Sequence, residues 1–410
     1  MRRTTEQNTA ARETDRFREA VRVALAVESR LDYPEEQRAL FDDQTFDSEG
    51  FIKAAGTHGL AGLVAHHARA IGVPPSVRLP LQELAVSQTI AAMSSAQATV
   101  EVWCLLQREG IPTIAFKGPT LSAQTTGTTT ARGGGDVDLL VAPANIPRAF
   151  AALSDSGWTP WVSPGVVGSW WRWFEAANRE VTFIGERSTV DLHWRIPLEN
   201  GFFPPAADMI ERAVPVELHG STVLGLSSDD LLLASAYAFQ LDHFASLRYA
   251  VDVIRILRSR QTPVHYPRSQ QEMVLEAACA AVALVGGLDP RHCSGLGLRI
   301  QAPSRSAISE WQKYGVYGRR PLATRPIGQI PAVARHRRYT NVPTAWFHGS
   351  VTRALSRPDL PTAGSTPPGV GRLVRVMASG AVDLLRKRSV GSSNESVTEP
   401  RFSGTPSPPK

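Results

Sequence analysis

The stretch that decides the fold reads RGGGDVDLLV and runs from Arg132 to Val141. Its apolar end, which begins at Val137, is typical of a buried β-strand. Successive side chains of a strand point to opposite faces, so Asp136 and Asp138 are expected to project from the same face. Two carboxylates on one face supply half of a divalent-metal site. The stretch therefore predicts a strand whose polar end binds metal.

A second alternating run, residues 189–194, carries Asp191 among apolar and β-branched residues. Three convergent carboxylates suit Mg²⁺, which prefers oxygen ligands and leaves its other positions to water and substrate phosphates. We therefore expect Asp136, Asp138 and Asp191 to converge and to hold the metal. His193 shares the face of Asp191, and it is either a neighbour of the metal ligands or a buried structural histidine.

The composition limits the class of protein. With 410 residues, 42% of them hydrophobic, the chain is long enough for two domains or for one domain with helical additions. Three cysteines without a CxxC spacing, and a polar start that does not resemble a signal peptide, predict a cytoplasmic protein. The most apolar stretch, residues 277–288, is too short to span a bilayer, so no membrane span is expected.

The positive charge is concentrated near the C-terminus. Residues 301–410 contain 17 Lys and Arg against 5 Asp and Glu, whereas the whole chain has a formal net charge of +6. Such a segment could bind nucleic acid or another acidic partner. A solvated basic tail without a partner is the other interpretation.

Periodicity and composition predict an α+β protein with a small mixed sheet and large N- and C-terminal helical additions. Residues 111–116, 136–141, 180–184 and 189–194 read as strands, the last two as a hairpin, and a Thr- and Gly-rich connection follows the first strand. The expected regions are 1–15, disordered; 16–108, helical; 109–226, the core; 227–300, helical; 301–356, basic and irregular; and 357–410, a mostly disordered basic tail.

Several blocks occur in a fixed order: Phe116-Lys117-Gly118, then residues 132–141, then 190–194, then 226–233, followed by Leu247-Arg248-Tyr249 and Asp252. Together they resemble a bacterial family of uncharacterised nucleotidyltransferases within the DNA polymerase beta-like superfamily. The resemblance spans residues 50–260. It implies a small mixed sheet with helices on one side, a catalytic Asp-x-Asp on one strand and a third carboxylate on a neighbouring strand.

Transfer of a nucleotide from an NTP requires charge neutralisation, an activated acceptor and stabilisation of the pyrophosphate that leaves. Two Mg²⁺ ions, about 3.5–4 Å apart, supply these functions. Asp136 and Asp138 would share the metals, and Asp191 would bind the ion near the attacking oxygen and act as general base. Clustered carboxylates repel without metal, so Asn at position 136 or 138 is expected to leave the fold intact or slightly more stable.

The nucleotide is expected to meet Lys117 as a point charge and Arg132 through a bidentate contact. Gly118 and Gly135 would let the backbone approach phosphates closely, because no Cβ intervenes. Pro119 departs from the superfamily pattern, since it has no N–H to offer a phosphate. Two alternatives therefore stay open: a non-catalytic scaffold or binding protein that retains the fold, and a toxin-like nucleotidyltransferase that acts on RNA.

Overall fold

The computed structural model describes residues 5–31, 40–42, 45–133, 135–161, 175, 178–186, 188–196, 202–302 and 305–318. All of them belong to the first of two compact units into which the chain divides, Met1–Pro367. The predicted disorder of residues 357–410 and most of the basic region 301–356 fall outside the described residues, so those expectations stay predictions.

The sheet is mixed, as the sequence predicts. Its seven strands in the described residues are β1 (Thr113–Phe116), β2 (Asp136–Val141), β3 (Thr159–Pro160), β4 (Glu180–Ile184), β5 (Thr189–His193), β6 (Val214–Leu218) and β7 (Ser221–Gly225). They lie in the order β3-β4-β5-β2-β1-β7-β6. β2 is parallel to β5 and antiparallel to β1. The antiparallel β4–β5 pair confirms the predicted hairpin.

Helices account for most of the rest of the described chain. They are α1 (Thr5–Glu28), α2 (Ser48–His58), α3 (Ala61–His66), α4 (Ala68–Ile71), α5 (Pro75–Arg108), α6 (Gly118–Thr126), α7 (Ile146–Asp155), α8 (Ala206–Glu211), α9 (Ser228–Leu241), α10 (Leu247–Ser259), α11 (Arg268–Val285), α12 (Pro290–Gly295) and α13 (Arg305–Tyr314). The predicted α+β class with helical additions is confirmed. Among the described residues, no helix combines the length and the apolar character that a membrane span needs.

The two faces of the sheet pack into different hydrophobic cores. Val137, Leu139 and Val141 of β2 belong to a core with residues of α5 and α7. The alternate residue, Leu140, packs in the larger core together with α9, α10 and α11. Helices therefore cover both faces, which corrects the expectation of helices on one side. By alternation, Asp136 and Asp138 share the face of Leu140, so the candidate site lies on the side of α9 and α10.

The Thr- and Gly-rich connection contains a helix, α6, that its composition did not predict. Pro119 stands in its first turn, where proline costs no helical hydrogen bond, and Gly127 ends it with a left-handed conformation (φ 71°). Thr125 and Thr126 donate their hydroxyls to the carbonyls of Leu121 and Ser122 at 2.8 Å. Both hydroxyls thus bond to the helix backbone one turn back, although threonine has a low helix propensity.

Two segments expected to be irregular are helical. α1 begins at Thr5, so residues 5–15 are not disordered, and α13 lies in the region 301–356 that was expected to be irregular. In α1 the buried carboxylate of Glu13 accepts hydrogen bonds from Arg16 at 2.8 and 2.9 Å. Local composition predicted no helix here because it does not show that buried polar groups find partners. Nor does it show that Phe17 packs in the hydrophobic core and anchors α1.

The loop before β2 is held by a helix distant in sequence. Arg132, only 5% exposed, donates its Nε–H to both carboxylate oxygens of Asp252 on α10, at 3.0 and 2.8 Å. Arg248, also on α10, donates to the carbonyl of Gly133 at 3.0 Å. A Cβ at Gly133 would come within 3.0 Å of the Gly59 carbonyl oxygen, so this glycine permits close contact between two backbones. The loop is thereby fastened to the helical region.

A buried histidine should make stability depend on pH. Burial, reinforced by Arg248, lowers the pKa of His58 to about 3. The unfolded chain takes up this proton below about pH 6.5 and the folded protein does not. The free energy of unfolding should therefore fall from pH 6.5 towards pH 3, by up to about 1.4 kcal/mol per pH unit.

Urea unfolding across that range would check this expectation, with His58→Asn as the control. Asparagine offers an oxygen near the position of Nδ1, which accepts the backbone N–H of Leu247 at 3.3 Å. The variant should lose less stability on acidification than the wild type. Parallel curves for the two proteins would contradict the assignment.

Candidate active site

The pairing of β2 with β5 determines which carboxylates meet. Asp138 and Asp191 are direct partners across the two parallel strands. One ligand atom from each of Asp138, Asp191 and His193 lies within 4.8 Å of the others. Asp136 does not belong to this group: it is exposed at the start of β2, and its Oδ1 accepts a hydrogen bond from Thr189 at 3.3 Å. The structure thus brings together two of the three expected carboxylates, with a histidine.

Two basic side chains contact a single oxygen of Asp138. Its Oδ1 lies 2.6 Å from Lys117 Nζ and 3.0 Å from His193 Nε2. Burial alone would raise the pKa of Asp138, but the Lys117 ammonium and the His193 contact outweigh it and hold this pKa well below its usual range. Asp138 is therefore ionised throughout the physiological range.

For Asp138, this arrangement corrects the expectation that neutralising one carboxylate of the cluster leaves the metal-free protein equally or more stable. That expectation counted the acidic residues of two strands and left out the bases around them. The charge of Asp138 is stabilised by Lys117 and His193, so its neutralisation costs stability. Neutralisation is therefore expected to have opposite effects on stability at Asp138 and at Asp191, its neighbour on β5.

Asp191 occupies a less favourable environment. Burial raises its pKa, and the hydrogen bond from Thr182 Oγ1, at 2.6 Å to Oδ1, offsets only part of that shift. The nearby charges of Asp138 and Glu180 add to it. A carboxylate with a raised pKa accepts protons more readily, which suits general-base chemistry.

His193 connects Asp138 to a further carboxylate on β4. Its Nδ1 lies 3.0 Å from Glu180 Oε2, at ion-pair distance but outside hydrogen-bond geometry. Although burial lowers the pKa of His193, Glu180 and Asp138 raise it more, and the net shift is upward. Arg179 completes the chain at 2.9 Å from Glu180.

Sequence reasoning missed Glu180 and gave His193 no definite role. Glu180 pairs with His193, and Thr182 with Asp191, across the β4–β5 hairpin. The signal was present in the alternation of residues 180–184, EVTFI, which places Glu180 and Thr182 on one face and apolar residues on the other.

Lys117 stands between β1 and α6 in an unusual backbone conformation. Its φ is 61° and its ψ is −162°, a region occupied almost only by glycine and costing other residues about 1–3 kcal/mol. Gly118 follows with φ 39°, and a Cβ there would lie 3.3 Å from the carbonyl oxygen of Asp136. The need for glycine at position 118 thus comes from its positive φ and from the adjacent β2 backbone.

Two more of the residues that were expected to bind the nucleotide lie close to the site. Arg132 is paired with Asp252, so a bidentate phosphate contact by this residue stays a prediction. Gly135 is exposed, and no atom of the described residues lies within 4 Å of a Cβ placed on it. There is thus open space beside the backbone of Gly135, where close approach by a ligand was expected.

A pocket opens beside the carboxylates, between the sheet and the helices α9 and α10. Three cationic side chains line it, and two of these, Lys117 and Arg179, also contact carboxylates of the site. Among the described residues, the lining consists of Phe116, Lys117, Leu121, Arg132, Arg179, Ile196, Leu226, Leu231, Ala234, Ser235, Tyr237, Ala238, Leu241, Asp242 and Tyr249. The wall contributed by the helices is mostly apolar. An anionic ligand with a flat or apolar portion would match this lining.

The donor group fits a divalent cation. Two carboxylates and one imidazole nitrogen are close enough to bind one ion, and Asp136 stands at the open end of the same strand face. Carboxylate oxygens suit Mg²⁺ and Mn²⁺, and the imidazole is a more usual ligand for Mn²⁺ or Zn²⁺. The residues present therefore form a candidate metal-binding group.

One comparison with known proteins, a match to a protein family, agrees with this geometry. A search of curated proteins found no match to the chain. The family described as "uncharacterised nucleotidyltransferase" matches residues 44–281, more than half of the chain, and this span includes the whole sheet, the candidate metal group and α10. The chain belongs to this family of nucleotidyltransferases.

Proposed function

We propose that the protein transfers a nucleoside monophosphate from an NTP to an unidentified hydroxyl, phosphate or protein side chain in a Mg²⁺-dependent reaction, with two ions bound during transfer. Membership of the nucleotidyltransferase family supports the reaction class. The observation that carries the proposal is the in-register pair Asp138–Asp191 beside a pocket lined by three cationic side chains.

The bound metal would neutralise charge on the transferred phosphate and on the leaving pyrophosphate. Asp138 and Asp191 would hold it, and Asp136 would contribute from the open end of β2. Asp191, whose pKa is raised, would accept the proton of the attacking acceptor. The pocket cations Lys117, Arg132 and Arg179 would offset the negative charge of the triphosphate, and the apolar surface of α9 would face the base.

Labelled NTPs would test this function. The full chain is incubated with each of the four NTPs, labelled at the α-phosphate, together with Mg²⁺ and a cell lysate. We expect label from one NTP to appear on a specific acceptor and to be lost when Mg²⁺ is chelated. The position of the label separates phosphate, RNA and protein acceptors, so the experiment also tests the RNA-directed alternative.

Two variants make the assay specific. Asp191→Asn should abolish labelling, whereas Asp155→Asn, an exposed carboxylate at the end of α7 on the other side of the sheet, should leave it unchanged. Absence of label with all four NTPs would contradict the proposal and favour the non-catalytic scaffold.

A further inference from the structure

We propose that Lys117 is an internal counter-ion that leaves Asp138 when a divalent cation binds, and that it then pairs with the triphosphate of the substrate. The inference rests on the proposed function and adds a role for one residue. It assigns to Lys117 two successive partners, a metal ligand before the cation binds and an anionic substrate afterwards.

The first step follows from the crowding at one oxygen. Asp138 is a member of the candidate metal group, yet its Oδ1 already accepts contacts from both Lys117 and His193. An ammonium at 2.6 Å and a divalent cation at the same carboxylate would repel each other strongly. The imidazole can itself ligate the ion, so binding of the cation is favoured when the ammonium moves away.

Of these two bases, Lys117 is the one able to move. His193 is 1% exposed, its ring packs edge-on against Phe116 with centroids 4.9 Å apart, and its Nδ1 lies 3.0 Å from Glu180. The Lys117 side chain is 31% exposed and ends in a flexible stem. A rotation about its side-chain bonds moves the ammonium without disturbing the core.

The pocket gives the released ammonium a destination. The other two cationic residues in the lining have carboxylate partners outside the metal group, since Arg132 pairs with Asp252 and Arg179 with Glu180. Those pairs persist when the metal binds. Lys117 alone among the three loses its counter-charge at that moment, so the positive charge of the pocket increases by one as the site acquires its metal.

The backbone of Lys117 supports a role for its side chain. Glycine would remove the strain of the conformation at φ 61° and ψ −162°, and a lysine that did nothing would cost stability there. The strained conformation places the stem between Asp138 and the pocket. It therefore gives the ammonium access to both partners.

Amine labelling with an acetylating reagent tests the first step directly. The chain has only five lysines, at positions 53, 117, 313, 387 and 410, so each is resolved by mass spectrometry. Without nucleotide, addition of Mg²⁺ to the full chain should raise the acetylation rate of Lys117 by about tenfold, the factor equivalent to about 1.4 kcal/mol of lost pairing. The exposed residues Lys53 and Lys313 are internal controls that should not change.

Further addition of a non-hydrolysable NTP should protect Lys117 again. Binding of Mn²⁺, measured by electron paramagnetic resonance, gives an independent readout: Lys117→Met should bind Mn²⁺ about tenfold more tightly than the wild type, and Lys117→Arg should bind it with similar affinity. The methionine variant retains the length of the stem and loses the charge.

Unchanged acetylation of Lys117 in protein saturated with Mn²⁺ would overturn the inference, and so would equal affinity of the methionine variant and the wild type. Either result would refute the change of partners by Lys117. If the same protein still labels its acceptor from an NTP, the proposed function is not contradicted. Loss of labelling by the wild type would refute the function itself.

Discussion

Asp138→Asn should lower the rate of nucleotidyl transfer by at least about a thousandfold, which corresponds to about 4 kcal/mol of lost transition-state stabilisation. The same change should also destabilise the metal-free protein. It removes the charge that Lys117 and His193 face at 2.6 and 3.0 Å. Hydrogen bonds to a charged group contribute about 1.5–3 kcal/mol, and the unfolding free energy should fall by a similar amount.

Asp191→Asn is the matched comparison, because it neutralises the partner carboxylate across the same strand pair. It should abolish transfer as well, yet leave the stability equal or slightly higher. Burial disfavours the charge of Asp191, as its raised pKa shows, and an asparagine oxygen can still accept the Thr182 hydroxyl. The two variants therefore separate the catalytic use of a carboxylate from its effect on folding.

Urea unfolding at pH 7 in the presence of a chelator measures the stabilities, and the labelled-NTP assay measures the rates. The expected order of stability is Asp191→Asn equal to or above the wild type, and Asp138→Asn below it. The reverse order would show that Lys117 and His193 do not stabilise the charge of Asp138 in solution.

Asp252→Ala should destabilise the protein by about 3–5 kcal/mol, the cost of leaving one partner of a buried ion pair without the other. Arg132 and Asp252 are 5% and 3% exposed, and the guanidinium would lose both of its carboxylate contacts. The loop that leads into β2 would lose its main attachment to α10. Transfer activity should therefore fall even at temperatures where the variant stays folded.

Glu272→Ala is the control, since it breaks an ion pair with Arg268 in which the two side chains are 50% and 92% exposed. Exposed pairs contribute about 0–1 kcal/mol, so this variant should unfold close to the wild type. A double variant, Arg132→Met with Asp252→Leu, should recover much of the lost stability, because no buried charge is then left without a partner. Similar unfolding of the Asp252 and Glu272 variants would contradict the burial of the Arg132–Asp252 pair.

The strands that carry the acidic residues were predictable from local patterns. The bounds of β2 and β4, and the hairpin that joins β4 to β5, follow from alternation within a few residues. The β6–β7 hairpin was missed, because its turn uses His219 and Gly220, both with positive φ, in place of a more common turn pair. Local patterns thus identified the strands at the candidate site and left out the far edge of the sheet.

The environment of the carboxylates was not predictable in the same way. Lys117 was expected to meet a phosphate, but nothing in its neighbourhood in sequence shows that its ammonium contacts Asp138, 21 residues away. The pairing of Arg132 with Asp252 spans 120 residues. Such contacts depend on how the sheet packs against α10, and a pattern read within one segment contains no information on that packing.

The attachment of the loop before β2 has a consequence for the order of events during synthesis. A ribosome adds about 5–20 residues per second, so about 6–24 s separate the emergence of Arg132 from that of Asp252. During this interval the strands of the site can form, but their loop lacks the helix that fastens it. Chains that end before α10 are therefore incomplete at the site, although they carry all the acidic residues of the metal group.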